Sequence, residues 1–349
     1  MMTLRKFAAG LDSVPTAVAW LLADLGEARG RQELFRRQAP QSLKVLREHA
    51  LVESTVSSNR IEGVEIEQGR VATVVFGSPI LKDRGEEELA GYREALALIH
   101  ERGATLPIDT DTIIELHRLS RGTIWDAGKF KTEDGEIVEI EPSGRRRVRF
   151  SPLAAAATPA AIEELCGLWR RVFEAGVVPP LIALAGFNLD FLCIHPFRDG
   201  NGRVSRLLFG LQLYHLGFEV GRYVSLERLI EAHIERYYET LASSSRGWHD
   251  GTHDPWPYAG YLLFVLKRAY GEFEEYVGVM ASPRGAKTEL ITAAIGRFPG
   301  EFTLAQIERA CPGVSRDMIR WVLRTLRLAG VVECAGRGPA ARWRRRQKG

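Results

Sequence analysis

The chain has 349 residues, of which 45% are hydrophobic and 26% charged, a balance typical of a globular protein with two or three domains. This composition excludes an intrinsically disordered or fibrous chain. No uninterrupted apolar run reaches the roughly 18 residues of a membrane helix, and Asp12 and Pro15 interrupt the first apolar stretch, which argues against a signal peptide. The four cysteines form no C-x-x-C pair for zinc binding or redox exchange. We therefore expect a cytoplasmic protein with reduced thiols and no membrane partner.

The charge is distributed unevenly along the chain, although the net charge is only +3. From Glu301 to the last residue, eleven Lys and Arg accompany four acidic residues, so the remainder carries a net charge of about −4. A basic segment beyond a nearly neutral body predicts a separate C-terminal module with a partner of its own.

Helical periodicity dominates most of the sequence. A helix is predicted at 43–60, ending before Gly63, and another at 89–100. Asp109 is suited to cap a third helix at 110–119, because an aspartate side chain accepts hydrogen bonds from the first free amides of a helix. Further helices are predicted at 160–175, 181–194, 203–216, 226–242 and 256–279.

A short β-hairpin is predicted between residues 130 and 152, where the helical pattern stops. β-branched and aromatic residues lie on both sides of residues 141–144, whose proline and glycine favour a turn.

The end of the chain has the pattern of a small module. Ser315 is suited to cap its last helix and Gly330 to end it. Three helices followed by a small hairpin is the element order of a winged helix. The predicted elements are a linker at 280–285, helices at 286–295, 304–310 and 315–329, and strands at 331–332 and 342–343.

One segment, HPFRDGNGRVSR at 195–206, has the features of an anion-binding turn. Gly200 and Gly202 allow positive φ angles and a close approach of the backbone to a ligand. Their N–H groups, at the start of a new helix, form a nest that suits a diphosphate. Arg203 and Arg206 stand three residues apart and therefore share one helix face, opposite the apolar face.

Two further side chains of this segment suit phosphate chemistry. Asp199 is a hard oxygen ligand beside the nest, where Mg²⁺ bridging phosphates would lie. His195 can accept a proton near neutral pH. For any one of these residues, a helix cap, a solvated histidine or a surface arginine is the simpler interpretation, whereas the whole set points to a site.

The segment resembles the Fic family motif H-x-F-x-[DE]-G-N-G-R-x-x-R at every specified position. The resemblance implies a mainly α-helical Fic-type core with a short β-hairpin flap. It also implies transfer of AMP from ATP, with Mg²⁺, to a Ser, Thr or Tyr hydroxyl of a protein, with release of pyrophosphate. The target protein is unspecified and could be the chain itself, and a homodimer is a further expectation of the resemblance.

The resemblance assigns the chemistry of attack to the first part of the motif. His195 would be the base that takes the proton from the target hydroxyl. Phe197 would hold the loop on the core, and Asp199 would hold Mg²⁺ between the α- and β-phosphates.

It assigns the phosphates to the second part. Gly200, Asn201 and Gly202 would cradle the α- and β-phosphates. Arg203 would stabilise charge on the β-phosphate, and Arg206 would bind the γ-phosphate.

Other segments resemble parts of the family outside the motif. The predicted hairpin resembles the flap that binds the target by adding a strand to its backbone. Lys131 stands where relatives often have Arg, at a position that we expect to lie outside the phosphate site. Tyr237 and Tyr238 resemble the adenine side of the site, and Ser245 stands where relatives frequently have Asn. Two tyrosines on a helix are otherwise more often part of a core.

Residues 58–63, SNRIEG, resemble the family's inhibitory motif [ST]-x-x-x-E-[GN], with Ser58, Glu62 and Gly63 at its specified positions. Taken alone, the pattern also describes a helix that ends at a glycine. In combination with the complete motif at 195–206, it predicts a built-in inhibitory helix. We therefore expect an N-terminal helical region at 1–105 that carries this helix, a Fic core at 106–280 and a basic winged-helix domain at 285–349.

The last predicted helix carries Arg316, Arg320, Arg324 and Arg327 on one face. Such a stripe could lie in a groove of DNA, or it could be a solvated face of a protein-interaction module. No Asn or Gln pattern there indicates base readout.

Two alternatives to AMP transfer stay open. The same site could remove AMP from a modified protein, or the chain could be a DNA-binding regulator whose Fic core senses a nucleotide.

Overall fold

The computed structural model describes residues 2–38, 40–77, 80–140, 146–279, 286–296, 298, 300–311, 314–336, 338 and 341–346. Within these residues the protein is mainly α-helical, as predicted, with five short strands. No helix in this part of the chain combines the length and hydropathy needed to cross a membrane. The predicted hairpin turn at 141–144 and the predicted linker at 280–285 lie outside the described residues.

The larger part of the protein consists of twelve described helices and one hairpin. The helices are α1 (Thr3–Ala9), α2 (Thr16–Gln38), α3 (Pro40–Ile61), α4 (Gln68–Phe76), α5 (Arg84–Arg102), α6 (Thr110–Arg121), α7 (Thr158–Ala175), α8 (Pro180–Ile194), α9 (Asn201–His215), α10 (Leu226–Ala232), α11 (Ile234–Ser245) and α12 (Trp256–Val279). The predicted hairpin is present as the antiparallel strands β1 (Ile137–Ile140) and β2 (Arg146–Phe150).

Local capping explains why the predicted start of α6, at residue 110, agrees with the structure. The Asp109 carboxylate accepts a hydrogen bond from the Thr112 amide at 2.8 Å, as predicted. The N-terminal helices α1, α2 and α4 were not individually predicted. In α2 the buried side chains form only a narrow stripe that includes Val18, Leu25 and Ala28, while Trp20 is exposed, so its apolar periodicity is weak.

The prediction of a single helix at 226–242 is wrong. The structure has two helices, α10 and α11, separated at His233, whose φ of −126° and ψ of 37° are not helical. The His233 ring packs edge-on against Phe264. The apolar pattern continues across this break, so periodicity alone did not reveal it.

Helix α8 is the centre of the larger part, because every residue from Leu181 to Ile194 is buried. It packs against α1, α7, α9, α11 and α12. One hydrophobic core includes residues of α1, α2 and α3 together with the central helices, and it extends to Leu290 of the C-terminal module. The division into regions at 1–105 and 106–280 therefore stays a prediction.

Asp190, a fully buried carboxylate on α8, anchors the first helix of the chain. It accepts hydrogen bonds from the backbone amides of Thr3 at 2.7 Å and Leu4 at 2.9 Å, and from the Trp248 indole at 2.7 Å. Burial raises the pKa of Asp190 to about 6, although these three donors oppose the shift. The start of α1 thus supplies N–H groups that a buried carboxylate requires.

The C-terminal module has its own small core, which includes Ile291, Phe302, Ile307, Ile319 and Val322. It forms a three-stranded antiparallel sheet, and the winged-helix assignment stays a prediction. Its elements are α13 (Ala286–Gly296), β3 (Phe302–Thr303), α14 (Leu304–Ala310), α15 (Arg316–Leu328), β4 (Val332–Ala335) and β5 (Arg342–Arg345), with sheet order β3-β5-β4.

We expect Asp190→Asn to destabilise the protein by about 1–3 kcal/mol, the typical cost of a mismatched buried hydrogen bond. An asparagine can still accept from Thr3 and Trp248, but its NH₂ group would then face the Leu4 amide, and two donors cannot pair. Chemical denaturation measures the loss. The control is Asp250→Asn, which changes an exposed aspartate on a nearby loop. Equal unfolding midpoints for the two variants would contradict this role.

Candidate active site

The motif segment begins where α8 ends, at a backbone conformation that glycine normally adopts. His195 has a φ of 52° and a ψ of 63°, and it is the only described residue other than glycine with a positive φ. Such a conformation costs on the order of 1–3 kcal/mol and persists only where its surroundings enforce it. The turn that follows must therefore be held firmly.

Asn201 closes this turn through its side chain. Its amide oxygen accepts a hydrogen bond from the Phe197 amide at 2.9 Å, and its NH₂ group donates to the Phe197 carbonyl at 2.7 Å. The predicted role of Asn201 in cradling phosphates would therefore use its backbone N–H, because the side chain is engaged within the loop.

Phe197 and His117 fix the turn to the core. The two rings stack with centroids 3.7 Å apart. The His117 Nδ1 accepts a hydrogen bond from the Gly128 amide at 2.9 Å, so Nε2 carries the proton and donates to the Asp199 carbonyl at 3.0 Å. Burial lowers the pKa of His117 to about 4, which keeps this ring neutral.

The anion nest contains a carboxylate of the protein itself. Gly200 has a φ of 84° and precedes α9, whose first turn includes Gly202. A Cβ atom at position 202 would collide with Glu62 Oε1. Glu62 therefore lies against the start of α9, where the sequence predicts a bound anion.

Arg206 joins the predicted inhibitory segment to the motif. Its Nε donates to Ser58 Oγ at 2.9 Å, and its Nη2 donates to the Ser58 carbonyl at 3.0 Å and to Glu62 Oε1 at 2.8 Å. Burial alone would lower the pKa of Arg206, but the charge and hydrogen bond of Glu62, together with Tyr92 and Tyr237, outweigh it and raise the pKa. Gly63, with a φ of 79°, ends the segment directly after Glu62. The structure thus brings Ser58, Glu62 and Arg206 together.

A buried ion-pair network lies under the other side of the turn. Glu88 pairs with Arg121 at 2.8 Å and with Arg203 at 3.1 Å. The Asp199 carboxylate pairs with Arg121 at 2.9 Å and with Arg84 at 3.5 Å. Within the described part of the chain, the buried Nε and Nη1 atoms of Arg203 have no hydrogen-bond partner. The Nε and Nη1 groups of Arg203 are therefore available to donate hydrogen bonds to an anion.

Asp199 is ionised and half-exposed. Burial alone would raise the pKa of Asp199, but the charge of Arg121 and the Gly200 amide, 2.6 Å from Oδ1, outweigh it and lower the pKa. Among the described side chains, no group of three or more His, Cys, Asp or Glu forms a metal site. A single carboxylate nevertheless suits Mg²⁺ that arrives bound to phosphates, because Mg²⁺ usually keeps water and phosphate oxygens as its other ligands.

Sequence reasoning missed Glu88, Arg121 and His117. Glu88 lies on α5, whereas Arg121 and His117 lie on α6, and all three side chains are buried. A charged or polar residue at a buried position of an amphipathic helix was the available signal, but their partners are distant in sequence.

His195 presents one ring nitrogen for chemistry. Its Nδ1 lies 3.3 Å from the Leu192 carbonyl, to which it donates, so Nε2 carries the free lone pair. Burial, assisted by the charge of Lys131, lowers the pKa of His195 to about 4. The imidazole is therefore neutral, and able to accept a proton, at physiological pH.

A cavity of about 210 Å³ lies beside the His195 ring. His195, Gly202, Arg206 and Glu62 line one part of it, and Tyr237 and Tyr238 line another. Tyr237 is buried, whereas Tyr238 is 37% exposed. Ser245 also lines the cavity, beside the two tyrosines on α11.

The hairpin forms a further wall of this cavity through Ile137, Arg149 and Phe150. The Arg149 guanidinium lies over the Tyr238 ring, 5.1 Å from its centroid, and donates to the Tyr238 carbonyl. The hairpin is therefore attached to the tyrosine side of the site.

Comparisons with known proteins agree with this geometry. Residues 107–213 match the model of the Fic/DOC family. A relative named "Protein adenylyltransferase fic-1" from Caenorhabditis briggsae is 27% identical over 241 residues, which are 64% of this chain and 41% of the relative. Its namesake from Caenorhabditis elegans is 26% identical over 175 residues, 50% of this chain and 29% of that protein. The chain thus spans less than half the length of either relative.

The fold is similar to that of a Fic family protein from Desulfovibrio desulfuricans G20, with a TM-score of 0.63 at 23% identity. The superposition covers 97% of this chain and 99% of that one, which shows a shared fold. The residues that match the Fic/DOC family model, 107–213, contain the whole motif from His195 to Arg206.

Proposed function

We propose that the protein transfers AMP from ATP to a Ser, Thr or Tyr hydroxyl of a protein, and that Glu62 inhibits this transfer. The observation that carries the proposal is the content of one cavity: a neutral imidazole, the first turn of a helix preceded by Gly200 and a permanently charged arginine. The names of the two Caenorhabditis relatives support the same reaction class.

His195 acts as the general base. Its Nε2 takes the proton of the target hydroxyl as that oxygen bonds to the α-phosphorus and the bond from the α-phosphorus to the bridging oxygen breaks. A neutral ring at physiological pH is the form that this step requires. The hairpin beside the cavity is suited to hold an extended target segment, because a strand edge can pair with another backbone.

The remaining groups hold the leaving pyrophosphate. The backbone N–H groups at the start of α9 face the phosphates, Arg203 supplies its unpaired donors, and Arg206 binds the terminal phosphate once Glu62 has left. Asp199 would hold the Mg²⁺ that arrives with ATP, and the metal would neutralise phosphate charge. Positioning and electrostatics thus account for most of the acceleration.

Glu62 inhibits by occupying the position of a phosphate. Its carboxylate lies beside Gly202 and pairs with Arg206 at 2.8 Å. A guanidinium fork suits either a carboxylate or a phosphate in that place. A γ-phosphate excluded from Arg206 displaces the α-phosphorus, and a misplacement of about 1 Å can cost on the order of 10²-fold in rate.

The same cavity offers a second function, the removal of AMP from a modified protein. Glu62 and His195 line it together, so Glu62 could position a water molecule for attack. Incubation with α-labelled ATP and Mg²⁺ separates the two activities, because only a transferase leaves label on protein.

DNA binding by the C-terminal module stays a prediction, as does a homodimer. Ion pairs with acidic residues of the module engage Arg316, Arg320, Arg344 and Arg346, which leaves a smaller basic surface than the sequence alone suggests. A gel shift with random duplex DNA at increasing salt concentrations tests it, since phosphate contacts weaken steeply with salt.

We expect His195→Ala to reduce AMP transfer by about 10²–10⁴-fold, the usual contribution of a general base. ATP affinity, measured by calorimetry, should stay within a few-fold, because the phosphates contact other residues. His215→Ala is the matched control, since His215 lies at the opposite end of α9 and its ring also bonds a backbone carbonyl. Near-normal transfer by His195→Ala would remove this residue from the mechanism.

Asp199→Ala should suppress transfer at any pH and weaken productive binding of ATP with Mg²⁺. The substitution removes the carboxylate that would face the metal, while Arg121 and Arg84 each keep their ion pair with Glu88. The wild-type protein should in turn require Mg²⁺ or Mn²⁺. Full activity of the wild-type protein in excess chelator would show that Asp199 has another role.

Glu62→Gly should raise the transfer rate clearly and Glu62→Gln partly, because glutamine keeps the size of the side chain without its charge. Combining Glu62→Gly with Arg206→Ala should abolish the gain, since the phosphate loses its partner. The control is Glu65→Gly, which removes an exposed glutamate three residues away. If Glu62→Gly transfers no more AMP than wild type to the same target, the inhibitory assignment is wrong.

A further inference from the structure

Lys131 contacts the backbone on both sides of His195. Its Nζ donates to the Ile194 carbonyl at 2.9 Å, and its own backbone N–H donates to the Pro196 carbonyl at 2.9 Å. One residue of the segment before the hairpin thus holds a carbonyl on either side of the His195–Pro196 peptide bond.

These two bonds restrict the conformation of the turn. Between the two anchored carbonyls stand only His195 and Pro196, and the proline ring fixes its own φ at about −65°. Few backbone torsions are then left free to relax. His195 is held in its left-handed conformation, with a φ of 52°, by a residue 64 positions earlier in the chain.

The position of the ring depends on this conformation. The Phe130 ring, next to Lys131, lies 5.5 Å from the Phe197 ring, measured between centroids, and packs against the turn after His195. The strained turn therefore has partners on both sides, as a non-glycine residue in the left-handed region requires.

Lys131 also acts on His195 through its charge. The half-buried ammonium disfavours a second positive charge on the imidazole, whereas Glu62 and Asp199 favour it. Burial lowers the pKa of Lys131 itself to about 8, so the ammonium is still largely charged at pH 7. Besides Glu62, the other charged or titratable side chains that line the cavity with His195 are Arg149, Cys193, Arg206, Tyr237 and Tyr238.

We propose that Lys131 is a positioning residue for the reaction: it fixes the backbone around His195 so that the ring meets the target hydroxyl. This inference rests on the proposed function. It also assigns a task to the residue that departs from the family's usual arginine at this position. The position of Lys131 outside the phosphate site stays a prediction, but the residue directly contacts the turn that carries His195.

The kinetic test compares Lys131→Met and Lys131→Arg in the Glu62→Gly background. We expect Lys131→Met to lower kcat on the order of 10- to 100-fold with little change in KM for ATP, because the ring is misplaced while the phosphate contacts remain. Lys131→Arg should recover most of the rate, since its guanidinium can donate to the Ile194 carbonyl. The matched control is Lys129→Met, which removes a lysine bond of 2.8 Å to the Trp125 carbonyl on the same loop.

A second readout does not depend on activity. NMR titration of the His195 ring should give a higher pKa in Lys131→Met than in the parent, because a nearby positive charge is lost, and an unchanged pKa in Lys129→Met. Lys131→Gln keeps a hydrogen-bond donor but no charge, so it should also raise the pKa of His195. Its kcat should be higher than that of Lys131→Met. It replaces the methionine variant if that one does not fold.

The outcomes are separable. An unchanged His195 pKa together with an unchanged kcat in the Lys131 variants would overturn the proposal. Absence of transfer in the Glu62→Gly parent would instead count against the proposed function, and the NMR titration would still decide whether Lys131 acts on His195.

Discussion

The pairing of Arg206 is the interaction on which the rest of the site depends. A buried guanidinium without a partner costs about 3–5 kcal/mol, so this side chain must always contact an acceptor. In the structure the acceptors come from the end of α3: the Ser58 hydroxyl and carbonyl and the Glu62 carboxylate. Ser58 contributes two of these three bonds. In the proposed activation, Arg206 would therefore keep the Ser58 contacts while a phosphate replaces the Glu62 carboxylate.

Around this pair, the groups that hold the turn are different from the groups that face the cavity. Asn201, Phe197 and His117 use their hydrogen bonds and rings on one another and on the backbone. The side chains of His195 and Arg206 are not needed to close this turn, and both line the cavity. Under the turn, the buried Glu88 stabilises two arginines, because its two oxygens pair with Arg121 and Arg203.

The features that sequence reasoning predicted correctly have local causes. Asp109 and Ser315 cap their helices through bonds to amides three residues away, and Gly330 ends α15 with a φ of 71°. The proximity of Ser58 and Glu62 to Arg206 is long-range, and only the family resemblance predicted it. At the break between α10 and α11, the His233 ring packs against Phe264 of α12, a tertiary contact that periodicity does not encode.

The remaining misses have distant causes. Strand β3 has only two residues, and its partner Arg342–Arg345 lies some forty positions later, so no local pattern indicates it. Glu88 and Arg121 are separated by 33 positions and meet only because α5 and α6 pack together. The sequence marks Lys131 as a deviation from a motif, but its contacts with Ile194 and Pro196 bridge more than 60 positions and leave no local pattern.

The anchoring of α1 has a consequence for how the chain tolerates change at its beginning. Chain termini are usually the parts that best accept trimming or fusion. Here the amides of Thr3 and Leu4 satisfy a carboxylate in the middle of α8, and Thr3 also bonds the His253 ring. Deleting only a few initial residues would leave Asp190 short of donors, five residues before the proposed base. The first turn of α1 thus supports the helix that leads into the proposed base.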